Sequence, residues 1–164
     1  MTQKENSENT SIKPKEGEDY IGVTCVFFCH DGKGNIVLYQ RTDKCRDEIG
    51  NWDCGSGAMK FGESFEQAVR REVIEEYCAE IVDLKFLGVN NVLRNNNGSL
   101  THWLALIFAA CVNPEEVKIG EPEKMDKLGW FQSGNFPQPL HSMFLEHFEF
   151  VKRAGITQSS IDRL

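Results

Sequence analysis

The alternation of apolar and polar residues along the chain predicts five strands, several of them joined by short turns. Aspartate, glycine and asparagine at residues 31–35, and the sequence Asn-Asn-Asn-Gly at 95–98, are typical of hairpin turns. Longer polar loops are expected at 42–51 and 113–126, and residues 52–60 lead into a glycine-rich loop. The strands are predicted at residues 20–28, 36–40, 81–93, 99–112 and 128–131.

Two segments have helical spacing instead. Ser64 and Gln67 form a Ser-x-x-Gln capping box, which predicts that a helix begins at Ser64. A second helix is predicted near the C-terminus, with Gly155 as its C-cap, from the spacing of Leu140, Met143, Phe144, Phe148 and Val151. One internal and one terminal helix among strands predict an α+β fold, an α/β/α sandwich in which the helices flank a mixed sheet.

One face of the internal helix changes from apolar to acidic. Glu72, Glu75 and Glu76 fall within an arc of roughly 100°, and the same arc contains Phe65, Ala68 and Val69 towards the N-terminus. Carboxylates this close repel each other and lose solvation near a core. A bound cation would resolve both problems, and hard oxygen ligands favour Mg²⁺ or Mn²⁺.

Composition limits the classes of function. The 164 residues fit one domain at 19–164, preceded by a polar tail at 1–18 that is expected to be disordered. A net charge of −7 argues against binding to nucleic acid or to an anionic membrane. No apolar run has the length of a membrane span, and the polar N-terminus has no signal segment, so a cytoplasmic location is expected.

The cysteines are expected to be reduced and partly buried in apolar strands, without zinc. Cys25 and Cys29 have no second close pair and no histidine at the spacing of a zinc finger. In a cytosolic chain the thiols remain reduced. The six cysteines are Cys25, Cys29, Cys45, Cys54, Cys78 and Cys111.

The glycine loop and acidic helix together resemble the signature of the Nudix hydrolases, G-x5-E-x7-R-E-U-x-E-E-x-G-U, where U is aliphatic. The resemblance spans roughly residues 20–155, and Cys78 and Ala79 depart from the last two signature positions. The loop lacks the common Pro-Gly-Gly pattern, and Lys60 occupies a position that is commonly acidic. The residues in register are Gly57, Glu63, Arg71, Glu72, Val73, Glu75 and Glu76.

The resemblance implies that water attacks a phosphorus of a diphosphate linkage with the help of a divalent metal, Mg²⁺ or in its place Mn²⁺. Glu75 and Glu76 are then the main metal ligands, and Glu72 is either a ligand or the general base. The carbonyl of Gly57 is expected to be a further ligand, and Arg71 to orient a carboxylate. Gly62 and Glu63 are expected to fix the loop.

The resemblance also suggests residues outside the signature. Glu123, with Glu121 as second candidate, is expected to reach the metal from a Glu-Pro-Glu-Lys loop similar to one in MutT-like nucleoside triphosphate diphosphatases. Arg41 is expected to contact phosphate. The base or sugar of the substrate is expected to contact Asn90, Arg94 and His102.

The predicted reaction is Mg²⁺-dependent hydrolysis of a (deoxy)nucleoside triphosphate, with an intact or oxidised base, to monophosphate and pyrophosphate. Within the same class, ADP-ribose or a nucleotide sugar is the alternative substrate. An isopentenyl diphosphate isomerase is a different class, but its cysteine position falls at Ser56 and not at Cys54. A noncatalytic nucleotide-sensing domain is a further class, but such domains typically lose signature glutamates, and none is lost here. The expected partner is a small nucleotide, and a homodimer stays open because Nudix relatives are often dimers.

Overall fold

The structure, a computed structural model, describes residues 13–96 and 98–156. For Asn96 it describes the backbone but not the side chain. In this part of the chain, seven strands form one mixed sheet and two longer α-helices pack on it. The elements are β1 (Gly22–His30), β2 (Asn35–Arg41), β3 (Trp52–Asp53), β4 (Gly55–Ala58), α1 (Phe65–Tyr77), β5 (Ile81–Asn96), β6 (Ser99–Val112), β7 (Met125–Gln132) and α2 (Phe144–Arg153).

The sheet has the order β3-β2-β1-β6-β5, with β4 paired to β1 and β7 paired to β2. The pairing of β1 with β6 is parallel, and the other strand pairs are antiparallel. Strands β4, β1, β6 and β5 therefore lie side by side and form the floor on which the candidate site is built.

Alternate residues of the strands supply two cores, because successive side chains point to opposite faces of a sheet. Cys25 and Phe27 of β1 pack towards α1, in a cluster that includes Val69, Val73 and Tyr77. On the opposite face, β1 packs towards α2 through Val26 and Phe28, in a cluster that includes Phe144, Phe148 and Val151. The predicted mixed sheet between two helices is thus confirmed.

Several predicted boundaries were wrong. Residues 52–58 form two short strands where only a lead into a loop was expected, and β7 begins at Met125. Helix α2 begins at Phe144 and not at Leu140, because Leu140 forms a bridge with Trp52. Gly155 follows the end of α2 with φ of 69°, and its N–H donates to the carbonyl of Lys152.

The predicted tail falls mainly on residues 1–12, outside the described part, as does Asn97 of the second hairpin turn. Of the remaining tail residues, Lys15 accepts a backbone hydrogen bond from Glu18, and Gly17 donates one to Tyr20. Gly17 also accepts a backbone hydrogen bond from His102 of β6. This turn therefore lies on the sheet.

The six cysteines are free thiols, as expected. Cys25, Cys29 and Cys54 are buried, Cys45 and Cys111 are partly buried, and Cys78 is exposed. Neither α1 nor α2 has the length and apolar character needed to cross a membrane.

Candidate active site

Helix α1 begins where the sequence predicts. The Ser64 side chain accepts the N–H of Gln67, and the Gln67 side chain accepts the N–H of Ser64, so both halves of the capping box are formed. Ala68 and Val69 are fully buried, whereas Phe65 is half exposed. The apolar face of the helix continues through Val73 and Tyr77 and includes Glu76.

Glu76 is the buried carboxylate of the site. It is 4% exposed, and its Oε2 atom has no hydrogen-bond partner among the described residues. Burial raises the pKa of Glu76 well above its ordinary value, and the carboxylates of Glu72 and Glu121 add to the effect. A buried carboxylate without a partner is costly, so this position favours a bound cation or a proton.

Arg71 holds the neighbouring carboxylates in place. Its Nε and Nη2 atoms donate to the two carboxylate oxygens of Glu63 at 2.6 and 2.9 Å, and its Nη1 atom donates to Glu72 and, at 3.1 Å, to Glu75. Glu63 also accepts the backbone N–H of Lys60 at 2.9 Å. The Arg71 hydrogen bonds, followed by that of Lys60, lower the pKa of Glu63 to about 2.

Gly57 lies close against Glu72. A Cβ atom at position 57 would be 2.0 Å from the Cδ atom of Glu72, so only glycine leaves room for this carboxylate. The carbonyl of Gly57 accepts a hydrogen bond of 3.0 Å from the Thr24 hydroxyl. Gly62 has φ of 88° at the turn before α1, a conformation that favours glycine.

The end of α1 is closed by a loop that the signature does not include. The N–H groups of Lys118 and Gly120 donate to the carbonyls of Tyr77 and Glu76, at 2.9 and 2.8 Å. Carbonyls in the last turn of a helix need such partners because they have none within the helix. A Cβ atom on Gly120 would be 2.0 Å from the carbonyl oxygen of Glu75, so the loop backbone touches the helix directly.

The same loop brings Glu121, rather than Glu123, towards the buried carboxylate. Glu121 contributes to the raised pKa of Glu76 and accepts hydrogen bonds from the Lys124 ammonium at 2.9 Å. Glu123 is exposed, and the carbonyl of this residue accepts a hydrogen bond from the Thr42 hydroxyl. Of the two candidates, Glu121 is therefore the one that acts on the buried carboxylate, whereas the Glu123 side chain is exposed to solvent.

A cavity of about 430 Å³ opens beside Glu72, on the face of the sheet that carries α2. Its floor includes Thr24, Val26, Trp103 and Ala105 of β1 and β6. The basic side chains that line it are Arg41, Arg46, Arg94 and Lys124, and the acidic ones are Asp47, Asp53 and Glu72. The lining of the cavity thus carries both signs of charge, and the acidic face of α1 lies at one end of it.

Two of the four predicted substrate contacts reach this cavity. Arg41 and Arg94 line it, and both guanidinium groups pair with Asp47. Arg94 also pairs with Glu48, which anchors the 42–51 loop to β5.

Asn90 and His102 do not line the cavity. Asn90 donates to Glu146 of α2 at 2.8 Å. His102 alternates with Thr101 and Trp103 along β6 and therefore faces the other side of the sheet, where it bonds to Asn91 at 2.7 Å. The predicted contact of these two residues with base or sugar therefore has no support from the lining of the cavity.

Several residues of the cavity were not indicated by the sequence, among them Lys124, His141 and His147. Lys124 follows the Glu-Pro-Glu segment directly, and this adjacency was a usable signal. His141 precedes α2 and lies 3.8 Å from Asp53 and 3.5 Å from Glu48. His147 belongs to the apolar face of α2, where nothing in the sequence distinguishes it from a core residue.

The described side chains do not form a ready metal cage. No group of three or more His, Cys, Asp or Glu side chains among them is arranged to hold an ion, because the Arg71 guanidinium stands between Glu72 and Glu75. The chemistry of the donor set nevertheless fits a hard cation. Glu76 has an unpartnered oxygen, and Glu72 and Glu121 lie near enough to raise the pKa of Glu76.

The chain is similar to known proteins in both sequence and fold. The family model described as NUDIX domain matches residues 20–154. The crystal structure of MutT NUDIX hydrolase from Burkholderia pseudomallei is 30% identical with a TM-score of 0.71, and the match covers 80% of this chain and 98% of that one. The MutT protein from Methanosarcina mazei Go1 is 23% identical with a TM-score of 0.67, covering 82% and 95%.

The fold is also shared with the NUDIX domain of Shewanella oneidensis NrtR, solved in complex with ADP ribose. That domain is 19% identical with a TM-score of 0.64, and the match covers 91% of this chain and 94% of that one. The signature in register, the sandwich fold and the match over most of the chain lead to one conclusion. The chain belongs to the NUDIX family and is a hydrolase of pyrophosphate bonds.

Proposed function

We propose that this chain hydrolyses a (deoxy)nucleoside triphosphate to a monophosphate and pyrophosphate with the help of Mg²⁺. The observation that carries the proposal is the buried, unpartnered carboxylate oxygen of Glu76, close to Glu72, which lines a cavity together with four basic side chains. A buried carboxylate that needs a cation, near arginine and lysine side chains, suits a metal-bound polyphosphate.

The residues that would hold the metal are the carboxylates of Glu75 and Glu76 and the carbonyl of Gly57, with Glu121 from the loop, which leaves Glu72 available as the base. When bound, Mg²⁺ or Mn²⁺ lowers the pKa of a water molecule and neutralises charge on the phosphates. Glu75 is more exposed than Glu72 and Glu76, with a side chain 46% exposed, and can release Arg71 at little cost.

The chain's own residues divide the remaining work. Glu72 lines the cavity and accepts the proton of the attacking water as the new P–O bond forms and the bond to the pyrophosphate oxygen breaks. Burial raises the pKa of Glu72, which makes this carboxylate a better base. Arg41 and Lys124 bind phosphate oxygens, and Arg71 positions Glu72 without touching substrate.

ADP-ribose or a nucleotide sugar is the second candidate, because the similar NrtR domain holds ADP ribose on the same fold. A nucleotide as the small-molecule partner is common to both candidates. The isomerase alternative lacks support in the cavity, since Ser56 stands at the position of the expected thiol. Burial raises the pKa of Cys54, so its thiol stays protonated and unreactive.

The test is a hydrolysis screen with Mg²⁺ over the nucleoside triphosphates, oxidised nucleotides and ADP-ribose, with separate detection of phosphate and pyrophosphate. We expect pyrophosphate from a triphosphate, and a loss of at least about a hundredfold in kcat for Glu76→Gln. Full Mg²⁺-dependent hydrolysis by Glu76→Gln would refute the assignment of the site. Hydrolysis of ADP-ribose alone would select the second candidate, and no hydrolysis by the wild type would favour a nucleotide-sensing domain.

A further inference from the structure

The cavity has two ends of different chemistry. One end lies at β4 and α1, where Gly57, Ala58 and Glu72 line it. The other end lies over β6 and β5, where Trp103 pairs with Val92 across the two strands. The strand order β4-β1-β6-β5 places three inter-strand spacings between these ends, about 14 Å at about 4.8 Å each.

The second end combines apolar side chains with the guanidinium groups of Arg46 and Arg94, and its indole is fixed. Its apolar lining consists of Val92, Trp103, Ala105 and Met143. The backbone at Gly17 lies against the Trp103 ring so closely that a Cβ atom there would be 2.3 Å from the indole. The Arg46 guanidinium lies 5.5 Å from the centroid of the Trp103 ring. Apolar side chains beside a fixed indole and a guanidinium group suit a flat heterocycle.

His147 is a buried polar side chain at this end of the cavity. It lies on α2, lines the cavity and is 7% exposed. Its Nε2 atom is buried and has no hydrogen-bond partner within the described residues. A buried polar atom of this kind normally has a partner, and here the space beside it is the cavity.

The imidazole is neutral when the enzyme works near pH 7. Burial lowers the pKa of His147 to about 4, and His141 and Arg94 add to this effect against the opposing charge of Glu146. A neutral imidazole has one donor nitrogen and one acceptor nitrogen. It can therefore match either a carbonyl or an amino edge of a heterocycle without adding a charge to this end of the cavity.

We propose that His147 is the residue that reads the nucleobase, through a hydrogen bond from or to its Nε2 atom, while the base lies among Val92, Trp103 and Met143. This proposal deepens the proposed function and rests on it, because hydrolysis requires the phosphates of the bound nucleotide to lie near Glu72 and Lys124. It assigns base selection to the C-terminal helix, on which the sequence signature has no residue.

The test uses the full chain and compares His147→Leu and His147→Phe, which remove the polar atom, with His147→Gln, which keeps one. Val151→Ala is the matched control, because Val151 is buried on the same helix and does not line the cavity. Thermal unfolding confirms that each variant is folded. The readouts are kcat and KM for ATP, GTP, CTP and UTP and for base-free ribose 5-triphosphate, together with calorimetric Kd values for the four monophosphates.

For the nucleotide that the wild type prefers, we expect KM and Kd to rise at least about tenfold in His147→Leu and His147→Phe, with kcat changed much less. Base-free triphosphate and Val151→Ala should show no such change, and His147→Gln should recover part of the affinity or alter the base preference. Wild-type values of KM and Kd for all bases in a folded His147→Leu or His147→Phe would overturn the proposal. If the wild type hydrolyses none of the triphosphates, the proposed function fails, while the Kd values still decide the role of His147.

Discussion

Cys78 shows how a single residue departs from its family and still keeps the local backbone. It ends α1 with φ of 55° and ψ of 22°, and its N–H donates to the carbonyl of Ile74 at 3.0 Å. The signature has glycine at this position, and the left-handed conformation explains the preference. Residues other than glycine lose roughly 1–2 kcal/mol in this conformation, whereas glycine loses somewhat less through chain entropy.

Cys78→Gly should therefore stabilise the protein by roughly 0.5–1 kcal/mol, because the gain in backbone conformation exceeds the added entropy of the unfolded chain. The free energy of unfolding from urea titration at pH 7 measures this. Cys78→Ala is the control, since it removes the exposed thiol and keeps the strained backbone. Equal stability of the alanine and glycine variants would contradict the role given to φ.

His147 gives a pH-dependent contribution to stability with a definite sign. The pKa of His147 is about 4 in the folded chain and about 6.5 in the unfolded chain, so below pH 6.5 the unfolded chain binds more protons. The contribution is fully present above pH 6.5 and is lost as the pH falls to 4, by roughly 3 kcal/mol at about 1.4 kcal/mol per unit of pKa. Arg94, His141 and Glu146 are the charged or titratable groups that act on it.

The measurement is the free energy of unfolding of metal-free protein between pH 7 and pH 4, in the wild type and in His147→Leu. We expect the wild type to lose more than the variant over this range, since only the wild type carries the buried imidazole. Parallel curves for the two proteins would show that His147 titrates normally in the folded state.

The capping box and the glutamates of the acidic face were predictable from sequence because both depend on spacing within one helix. Which loop glutamate approaches Glu76 was not predictable, since Glu121 and Glu123 differ only in how the 113–124 backbone turns. Alternation along β6 shows that His102 points away from Thr101 and Trp103. This excludes His102 from the cavity only once the cavity is known to lie on the side of Thr101. The role of His147 depends on α2 lying over β5 and β6, which is a tertiary fact.

Strand β4 is where one short element serves both the core and the site. Its two glycines face α1, and each is required by a different neighbour. A Cβ atom on Gly55 would be 2.0 Å from the buried ring of Phe27, and one on Gly57 would be 2.0 Å from the carboxylate carbon of Glu72. Phe27 is fully buried and packs edge-on against Tyr77, so it has no room to move.

The two alanine variants of β4 should separate stability from activity. Gly55→Ala should destabilise the fold by about 1–3 kcal/mol, because the core is overpacked. Gly57→Ala should lower the free energy of unfolding by less than about 1 kcal/mol, since the end of a glutamate side chain can move. It should nevertheless lower kcat at least tenfold, because the Glu72 carboxylate is displaced. Urea unfolding and hydrolysis of the preferred substrate measure both. A Gly57→Ala variant with wild-type kcat would argue against a role for the Glu72 position.

At the scale of elements, long runs were predicted well and short or irregular ones were not. Strands β5 and β6 were expected from their apolar runs, and α1 from its capping box. Strand β3 has two residues and is defined by backbone pairing with β2, which no local pattern reveals. The spacing that placed Leu140 in α2 is real, but Leu140 is held by its bridge to Trp52 outside the helix.

The whole molecule carries a net charge of −7, and the cavity beside α1 is lined by four basic and three acidic side chains. The acidic surplus would repel a polyphosphate at long range. A divalent cation on the α1 carboxylates would offset this repulsion at the catalytic end. Folding and metal binding should therefore be linked, since the carboxylates are brought together only in the folded chain.

Mg²⁺ should stabilise the wild-type protein by about 2.7 kcal/mol at a concentration one hundred times its Kd, if the ion binds only the folded chain. Glu76→Gln should lose most of this gain, because the amide that replaces the buried carboxylate carries no charge and is a weaker ligand for a hard cation. Thermal unfolding over a range of MgCl₂ concentrations, with EDTA as reference, measures the gain without any substrate. Glu80→Gln is the matched control, as Glu80 is exposed just beyond α1. The same Mg²⁺-dependent rise in Glu76→Gln as in the wild type would place the metal elsewhere on the molecule, even if the enzyme hydrolysed nucleotides.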